Sequence, residues 1–296
     1  MKTLSVIIKR NIKLFFKDKG MFLTSLITPV ILLVLYAIFL GDVYRDSILL
    51  GLGGTPVSDK LLDGLVGGQL TSSILAVSCV TVAFCSNFLM VQDKATGAAK
   101  DLLVSPVKPS LLALGYYAST IASTLIICFS AAALCLGYMA FAGFYMSFAD
   151  VALLLLDVIL LVLLGTAVSS VVAFFLSTQG QISAVGSMVS SCYGFISGAY
   201  MPISNLGAGM QAAVAFLPGT YGTVLLRTHA MRGVLAKMAE EGLPREALEE
   251  LCNSMDINLY FFGSKVEEPA MYAVLLCAMA LFLAVYVLLN KFKKVK

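Results

Sequence analysis

The chain has 296 residues, of which 59% are apolar and only 12% are charged, and its formal net charge is +3. From Val158 to Leu226 no side chain is charged, and a water-soluble domain could not keep such a stretch away from water. The composition therefore excludes an ordinary soluble protein and predicts an all-α polytopic membrane protein.

The first 20 residues predict a cytoplasmic amphipathic helix. At about 100° per residue, the basic side chains fall on one arc and the apolar side chains on the other. The basic arc holds Lys2, Lys9, Arg10, Lys13 and Lys17, and the apolar arc holds Leu4, Ile7, Ile8, Ile12 and Phe15. We expect this helix to lie in the inner interface, with apolar side chains among acyl chains and lysines near anionic headgroups. It is either a plain anchor or a lever that joins the first span to a cytoplasmic partner.

Residues 21–296 predict a single transmembrane domain with six spans. A span needs about 20 apolar residues, and charge-poor runs of that length occur at 21–40, 66–91, 111–141, 149–177, 182–201 and 270–290. Basic residues concentrate at the N-terminus, in the 92–109 loop and in the tail, whereas acidic residues prevail in 41–65 and 202–269. Because basic residues beside spans remain on the cytoplasmic side, we expect a multi-pass protein of the cell membrane with both termini in the cytoplasm.

The second span is unusually polar, which makes it a candidate lining of a substrate pathway. Thr71, Ser78 and Asn87 belong to this polar set. Their side chains either face a conduit or bond back to carbonyl groups of their own helix. Asp157 is the only acid well inside a span, and an intramembrane acid is a functional candidate by default. The alternative is that Asp157 is hydrated near the interface, or bonded to a Tyr or Ser hydroxyl.

The 92–109 loop carries the most specific pattern in the chain. Residues 98–104 can form about two helical turns, and Pro106 ends them because it disfavours helix at Ser105. Leu102 and Leu103 are then apolar side chains on the cytoplasmic face. Either they dock onto a partner protein, or they fold back onto the ends of the spans.

Small residues recur every four positions in the fifth span, at Gly186, Ser190, Gly194 and Gly198. Such a stripe lets two helix backbones approach closely. It fits a homodimer interface or packing against another span of the same chain.

The 202–226 stretch predicts a re-entrant helical hairpin before the last span, within an extracytoplasmic segment at 202–269. The turn residues are Pro202, Pro218, Gly219 and Tyr221. Proline and glycine interrupt a continuous lipid-facing helix, and a seventh span would place the lysine-rich tail outside. We therefore expect two short helices that dip into the outer leaflet and return.

The loop at 92–109 resembles the first cytoplasmic loop of the permease subunits of type 2 ABC exporters. The basic start, the six spans and the run from Leu217 to Tyr221 are similar to that family as well. Ala98 and Lys100 depart from it, since a Thr and an acid are usual there. The resemblance implies ATPase-coupling roles for Asp93, Gly97, Leu102, Leu103, Ser105, Pro106 and Val107, and we expect Lys100 of the same loop to take part. It also implies that the first and fifth spans lie at a two-fold interface.

The chain has no Gly-x-x-x-x-Gly-Lys-Ser/Thr loop to cradle nucleotide phosphates. The resemblance therefore implies two copies of a separate ATP-binding-cassette ATPase subunit with a homodimer of this chain in the lipid bilayer. ATP and Mg would be bound by the partner subunit. For this chain we expect no cofactor, no metal, no catalytic residue and no nucleic-acid partner.

The resulting hypothesis is the transmembrane subunit of an ATP-driven exporter that moves a drug, lipid, glycan or ion outward. A secondary transporter or a channel is the alternative, although such proteins often carry several intramembrane ionisable groups. An intramembrane enzyme is disfavoured because the only histidine, His229, falls outside the predicted spans, where we expect a surface residue.

Overall fold

The computed structural model describes residues 2–35, 38–39, 41–52, 57–104 and 107–292. Within these ranges the chain is almost entirely helical, which confirms the all-α class. The helices are α1 (Lys2–Lys17), α2 (Lys19–Leu35), α3 (Gly41–Gly51), α4 (Asp59–Ser86), α5 (Phe88–Thr96), α6 (Ala98–Val104), α7 (Pro109–Ala142), α8 (Phe148–Phe175), α9 (Gln179–Ile196), α10 (Ala208–Val214), α11 (Pro218–Glu240), α12 (Arg245–Ser254) and α13 (Glu268–Phe292). A 3₁₀ turn at Ile203–Asn205 precedes α10, and β1 (Tyr260–Phe261) pairs antiparallel with β2 (Ser264–Lys265).

Four helical segments of the described chain are long and apolar enough to cross a membrane. They are Asp59–Thr96, Pro109–Ala142, Phe148–Phe175 and Glu268–Lys291. The segments Thr3–Lys17 and Lys19–Leu35 are bent by 75° and add a fifth candidate if they form one broken span. The polar helix α9 is not among these candidates, so the six-span count stays a prediction.

Helix α4 lies at the centre of the bundle. It packs against α7, α8, α11 and α2, and nearly every one of its residues is buried. Gly165 of α8 permits one of these contacts, since a Cβ there would lie 3.1 Å from the Cys79 carbonyl oxygen. The polarity of the predicted second span follows from this position, because a helix that is enclosed by other helices has no face in lipid.

Helix α1 packs its apolar face against protein. Ile7 and Phe15 are buried, and a Cβ at Gly115 of α7 would lie only 2.5 Å from the Ile7 Cγ2 atom. The expectation that these two side chains insert among acyl chains is therefore wrong. For Ile7 the reason is that the start of α7 offers a closer apolar surface. Contact between the lysine face and lipid headgroups stays a prediction.

The region before the last span forms two helices of very different length. Helix α10 has 7 residues and α11 has 23, so the second helix is longer than we expected. Pro218 occupies the first turn of α11, where its missing N–H costs nothing. The Tyr221 hydroxyl donates to the Ala215 carbonyl at 2.7 Å and fixes the turn between the helices. Helix α11 packs between α4, α8 and α13. Its entry into the outer leaflet stays a prediction.

Candidate functional site

The predicted coupling element is a helical hairpin made of α5, Gly97 and α6. Gly97 ends α5 with a left-handed φ of +85°, a conformation that glycine adopts at no steric cost. Helix α6 then covers Ala98–Val104, the range that the sequence predicts. The left-handed residue redirects the chain, so α6 leaves the axis of α5.

The apolar side chains of this hairpin differ in how far they are buried. Leu102 and Val107 are partly buried against a cluster that contains Leu112 and Tyr116 at the start of α7. For Leu102 the structure therefore supports the alternative in which it folds back onto a span end. Among the described side chains of α6, Val104 is apolar and 88% exposed. Ser105, Pro106 and the side chains of Lys100 and Leu103 lie outside the described residues.

Asp93 joins three helices. Its Oδ2 atom accepts from Arg10 Nη1 of α1 at 2.7 Å and from the Tyr116 hydroxyl of α7 at 2.5 Å. The hydrogen bond with Asp93 raises the pKa of Arg10 and outweighs the lowering effect of burial. Asp93 is buried, so its carboxylate holds α5 in place rather than facing a partner. No local pattern indicates that Arg10, one of several basic residues on α1, is its counterion.

Lys94 ties the same hairpin to α8. Its Nζ atom donates to the carbonyl oxygens of Ala173 at 2.7 Å, Phe174 at 3.0 Å and Leu176 at 3.3 Å. A cation at a helix C-terminus satisfies the last carbonyl groups and opposes the negative end of the helix dipole. Through adjacent residues, α5 is thus connected to α1, α7 and α8.

Two grooves open beside α5. The first, of about 460 Å³, lies between α1, α2 and α5 and is lined in part by Arg10, Lys17, Asp18 and Thr96. The second, of about 660 Å³, lies between α2, α4 and α9. Its wall on α9 consists of small and polar residues, which are Gln179, Ser183, Gly186, Ser187, Ser190 and Ser191.

The small-residue stripe of the fifth span is divided in the structure. Gly186 and Ser190 line the second groove, and a Cβ at Gly186 would meet no other atom within 4 Å. Gly194 packs against the ring of Tyr200, and Gly198 lies beyond the end of α9 with a φ of +75°. The helix stops before the stripe is complete, so only its first half remains open to a second helix.

The predicted pathway residues lie inside the bundle. Thr71 and Ser78 are fully buried on α4, and their hydroxyls find no hydrogen-bond partner among the described residues. Asn87 donates to Ser170 of α8 at 3.2 Å and accepts from Thr120 of α7 at 3.2 Å. These bonds join Asn87 to side chains of two other helices rather than to carbonyl groups of its own helix. A pathway role for the three residues stays a prediction.

Asp157 pairs with the histidine that we expected at the surface. The His229 Nδ1 atom lies 2.5 Å from Asp157 Oδ2, and the Tyr272 hydroxyl donates to Asp157 Oδ1 at 2.8 Å. His229 is completely buried, so the expectation of a surface residue is wrong. It is buried because α11 lies between α8 and α13 instead of projecting from the membrane domain.

The ionic contacts continue from this pair toward α13. His229 Nε2 faces Glu268 Oε2 at 3.8 Å, and Arg232 Nη2 donates to Glu268 Oε1 at 2.8 Å. Arg232 Nη1 also lies 3.6 Å from Asp150 Oδ1 of α8. Sequence reasoning missed this network because its members are far apart in the chain. The available signal was that the lone histidine and the lone intramembrane acid could satisfy each other.

A second buried ion pair holds the chain around α11. Arg227 is 0% exposed, and its guanidinium contacts Asp256 Oδ2 at 3.3 Å and the Gly198 carbonyl oxygen at 2.8 Å. Asp256 also accepts from the backbone N–H of Ser204 at 3.0 Å. A buried charge needs such partners, so the pair fixes the end of α12 and the segment after α9 against α11.

The described residues contain no cluster of three or more His, Cys, Asp or Glu side chains that could hold a metal ion. The family model of the ABC-2 type transporter matches residues 2–230, which is more than half of the chain. This range includes α1, the α5–α6 hairpin, α9 and the first 13 residues of α11. A search of curated proteins finds no match.

Proposed function

Since the chain belongs to the ABC-2 type transporter family, we propose that it is the transmembrane subunit of an ATP-driven exporter whose ATP is hydrolysed by a separate ATPase subunit. The observation that carries this proposal is the α5–α6 hairpin. Val104 at its tip is exposed, while Asp93 and Lys94 anchor its base to three other helices. A surface that is exposed at its tip and fixed at its base suits the transfer of movement from a partner.

The path of that movement follows the anchored contacts. ATP-driven closure of the two ATPase subunits displaces α6, and Gly97 passes the displacement to α5. From α5 it reaches α1 through Arg10 and α8 through Lys94. Because α1 continues into α2 across the 75° bend, a tilt of α1 moves the wall of the second groove.

The second groove is the proposed route for the substrate. It has α2 on one side and α9 on the other, and a second copy of this chain would close its open face. Its serine side chains suit a polar substrate part, while Met21, Phe84 and Phe88 suit an apolar part. A drug, lipid, glycan or ion remains the proposed substrate range, with outward transport and both termini in the cytoplasm.

Association with the ATPase is tested with the affinity-tagged chain isolated in mild detergent from its own cells. We expect an ATP-binding-cassette protein to co-purify and to hydrolyse ATP. Val104→Glu is the variant of choice, since this side chain is exposed and its replacement leaves the protein's own packing intact. Undiminished association of the Val104→Glu variant would remove the docking role of α6.

Transport is tested with inverted vesicles that hold both subunits. We expect accumulation of substrate in the vesicles that requires ATP hydrolysis and survives dissipation of ion gradients. Accumulation that follows an imposed ion gradient without ATP would instead establish the alternative, a secondary transporter.

A further inference from the structure

A partly enclosed cavity lies between α3, α4 and α12, apart from both grooves beside α5. Its volume is about 130 Å³, and Tyr44, Ile48, Gln69, Leu251 and Met255 form its inner walls. Its rim includes Asn205, Glu250 and Ser254, all of them exposed residues. A cavity of about 150 Å³ in another protein holds one benzene molecule, so this one has room for a molecule of about six non-hydrogen atoms.

Gln69 places a polar amide group in the wall of this cavity. The residue is 0% exposed, and neither its amide nitrogen nor its amide oxygen has a hydrogen-bond partner among the described residues. Burial raises the pKa of the neighbouring Tyr44 hydroxyl, and the Arg227 charge and the Gln69 amide oppose that rise. The Gln69 amide therefore lies beside the Tyr44 hydroxyl, although neither of its polar atoms has a partner at hydrogen-bond distance and angle among the described residues. A buried amide without partners destabilises a fold, which a ligand with matching polar atoms would offset.

We propose that this cavity binds a small uncharged molecule or group that carries an amide or a hydroxyl, with its polar end at Gln69. A glutamine amide offers donors and an acceptor at one place and therefore matches another neutral amide or hydroxyl. Ile48, Leu251 and Met255 provide apolar walls for a short hydrocarbon part. Glu250 at the rim opposes an anion, and Arg227 does not attract one because Asp256 and the Gly198 carbonyl already contact its guanidinium.

Binding is measured on the full chain in lipid nanodiscs with probes of similar size. Propanamide, propionate and propylammonium have similar hydrocarbon parts and differ in charge. The chain contains no tryptophan, so Asn205→Trp at the rim provides a single fluorescent reporter, and Lys13→Trp on α1 serves as the control reporter. We expect propanamide to shift the emission of the rim reporter saturably and to leave the control reporter unchanged. Propionate and propylammonium should give no saturable shift.

Gln69→Leu tests the polar contact directly. Because this substitution removes an unpartnered buried amide, the variant should fold, and its affinity for propanamide should fall at least about tenfold. Ser254→Phe narrows the rim from the side of α12 and should weaken binding as well. If Gln69→Leu does not fold, the propanamide affinity of Ser254→Phe tests whether the cavity is the binding site. Unchanged propanamide affinity in the folded variant, a shift with propionate or propylammonium alone, or no saturable shift at all would overturn the proposal. None of these outcomes depends on the transport activity.

Discussion

The His229 Nδ1 atom lies 2.5 Å from Asp157 Oδ2, and neither side chain is exposed. The contact joins α11 to α8 across 72 residues of sequence, and Tyr272 adds α13 to it. A charged group is expensive to bury unless it is paired and hydrogen-bonded. This pair therefore fixes how the helix before the last span sits in the bundle.

We predict that substitutions of Asp157 and of His229 have strongly non-additive effects on the free energy of unfolding. Asp157→Leu leaves His229 without its closest partner and should lower the free energy of unfolding by about 3–5 kcal/mol. Asp157→Asn should cost less, since an amide oxygen can still accept from a ring N–H. The double variant Asp157→Leu, His229→Leu should lose much less than the sum of the two single variants. Unfolding in detergent measures this, and additive losses would contradict the pairing.

The bond between Arg10 and Asp93 should couple α1 to the α5–α6 hairpin. We expect Asp93→Asn to cost about 1–2 kcal/mol of stability, because Arg10 is partly exposed and solvent screens the pair. If the pair also transmits movement, the variant should bind the ATPase subunit normally but transport less substrate per ATP hydrolysed. Arg45→Met is the matched control, since Arg45 pairs with Asp59 and Asp63 elsewhere in the chain. An equal loss of transport in both variants would speak against a specific role of Arg10.

Leu102 and Val104 should respond differently to the same substitution. Leu102 packs against the start of α7, whereas Val104 is 88% exposed. Leu102→Glu should therefore lower the free energy of unfolding of the isolated chain by about 2–5 kcal/mol. Val104→Glu should leave that stability unchanged and weaken ATPase association at least about tenfold, the loss of about 1.4 kcal/mol. Equal behaviour of the two variants would contradict the packing described here.

Two glycines on α7 make a matched pair for testing the position of α1. A Cβ at Gly115 would lie 2.5 Å from Ile7 Cγ2, whereas a Cβ at Gly137 would meet no atom within 4 Å. We expect Gly115→Ala to cost about 1–3 kcal/mol because α1 must shift, and Gly137→Ala to cost nothing. Ile7→Ala in the Gly115→Ala background should restore part of the loss. Thermal unfolding of the purified variants measures these differences, and equal effects at both positions would exclude close packing of α1.

The open half of the stripe on α9 predicts where two copies of the chain meet. In a Cys192→Ser background, Ser187→Cys should form a disulfide-linked dimer when native membranes are oxidised. Ser130→Cys on the exposed side of α7 is the control and should give little dimer. Equal yields at the two positions would indicate random collisions and remove the proposed interface.

The composition and the local patterns predicted several features that depend on nearby residues alone. They include the all-α membrane class, the family, the extent of α6 at Ala98–Val104 and the helical start of the chain. Helix periodicity, proline positions and a charge-free stretch can be read from short windows because the forces behind them act within a few residues. The same reasoning overestimated the fifth helix, since Gly198 adopts a left-handed conformation and α9 ends at Ile196.

Sequence alone thus determined that the chain needs a lipid environment and where its helices begin to form. The tertiary structure decided which helices lack a lipid face and which charges are paired. Asp157 meets His229, Asp93 meets Arg10, and α4 is enclosed by its neighbours. These outcomes depend on side chains brought together from distant parts of the chain, and no local pattern records the partner of a charged residue. Burial then makes the Asp157–His229 pairing obligatory, because an unpaired charge in an apolar interior costs several kilocalories per mole.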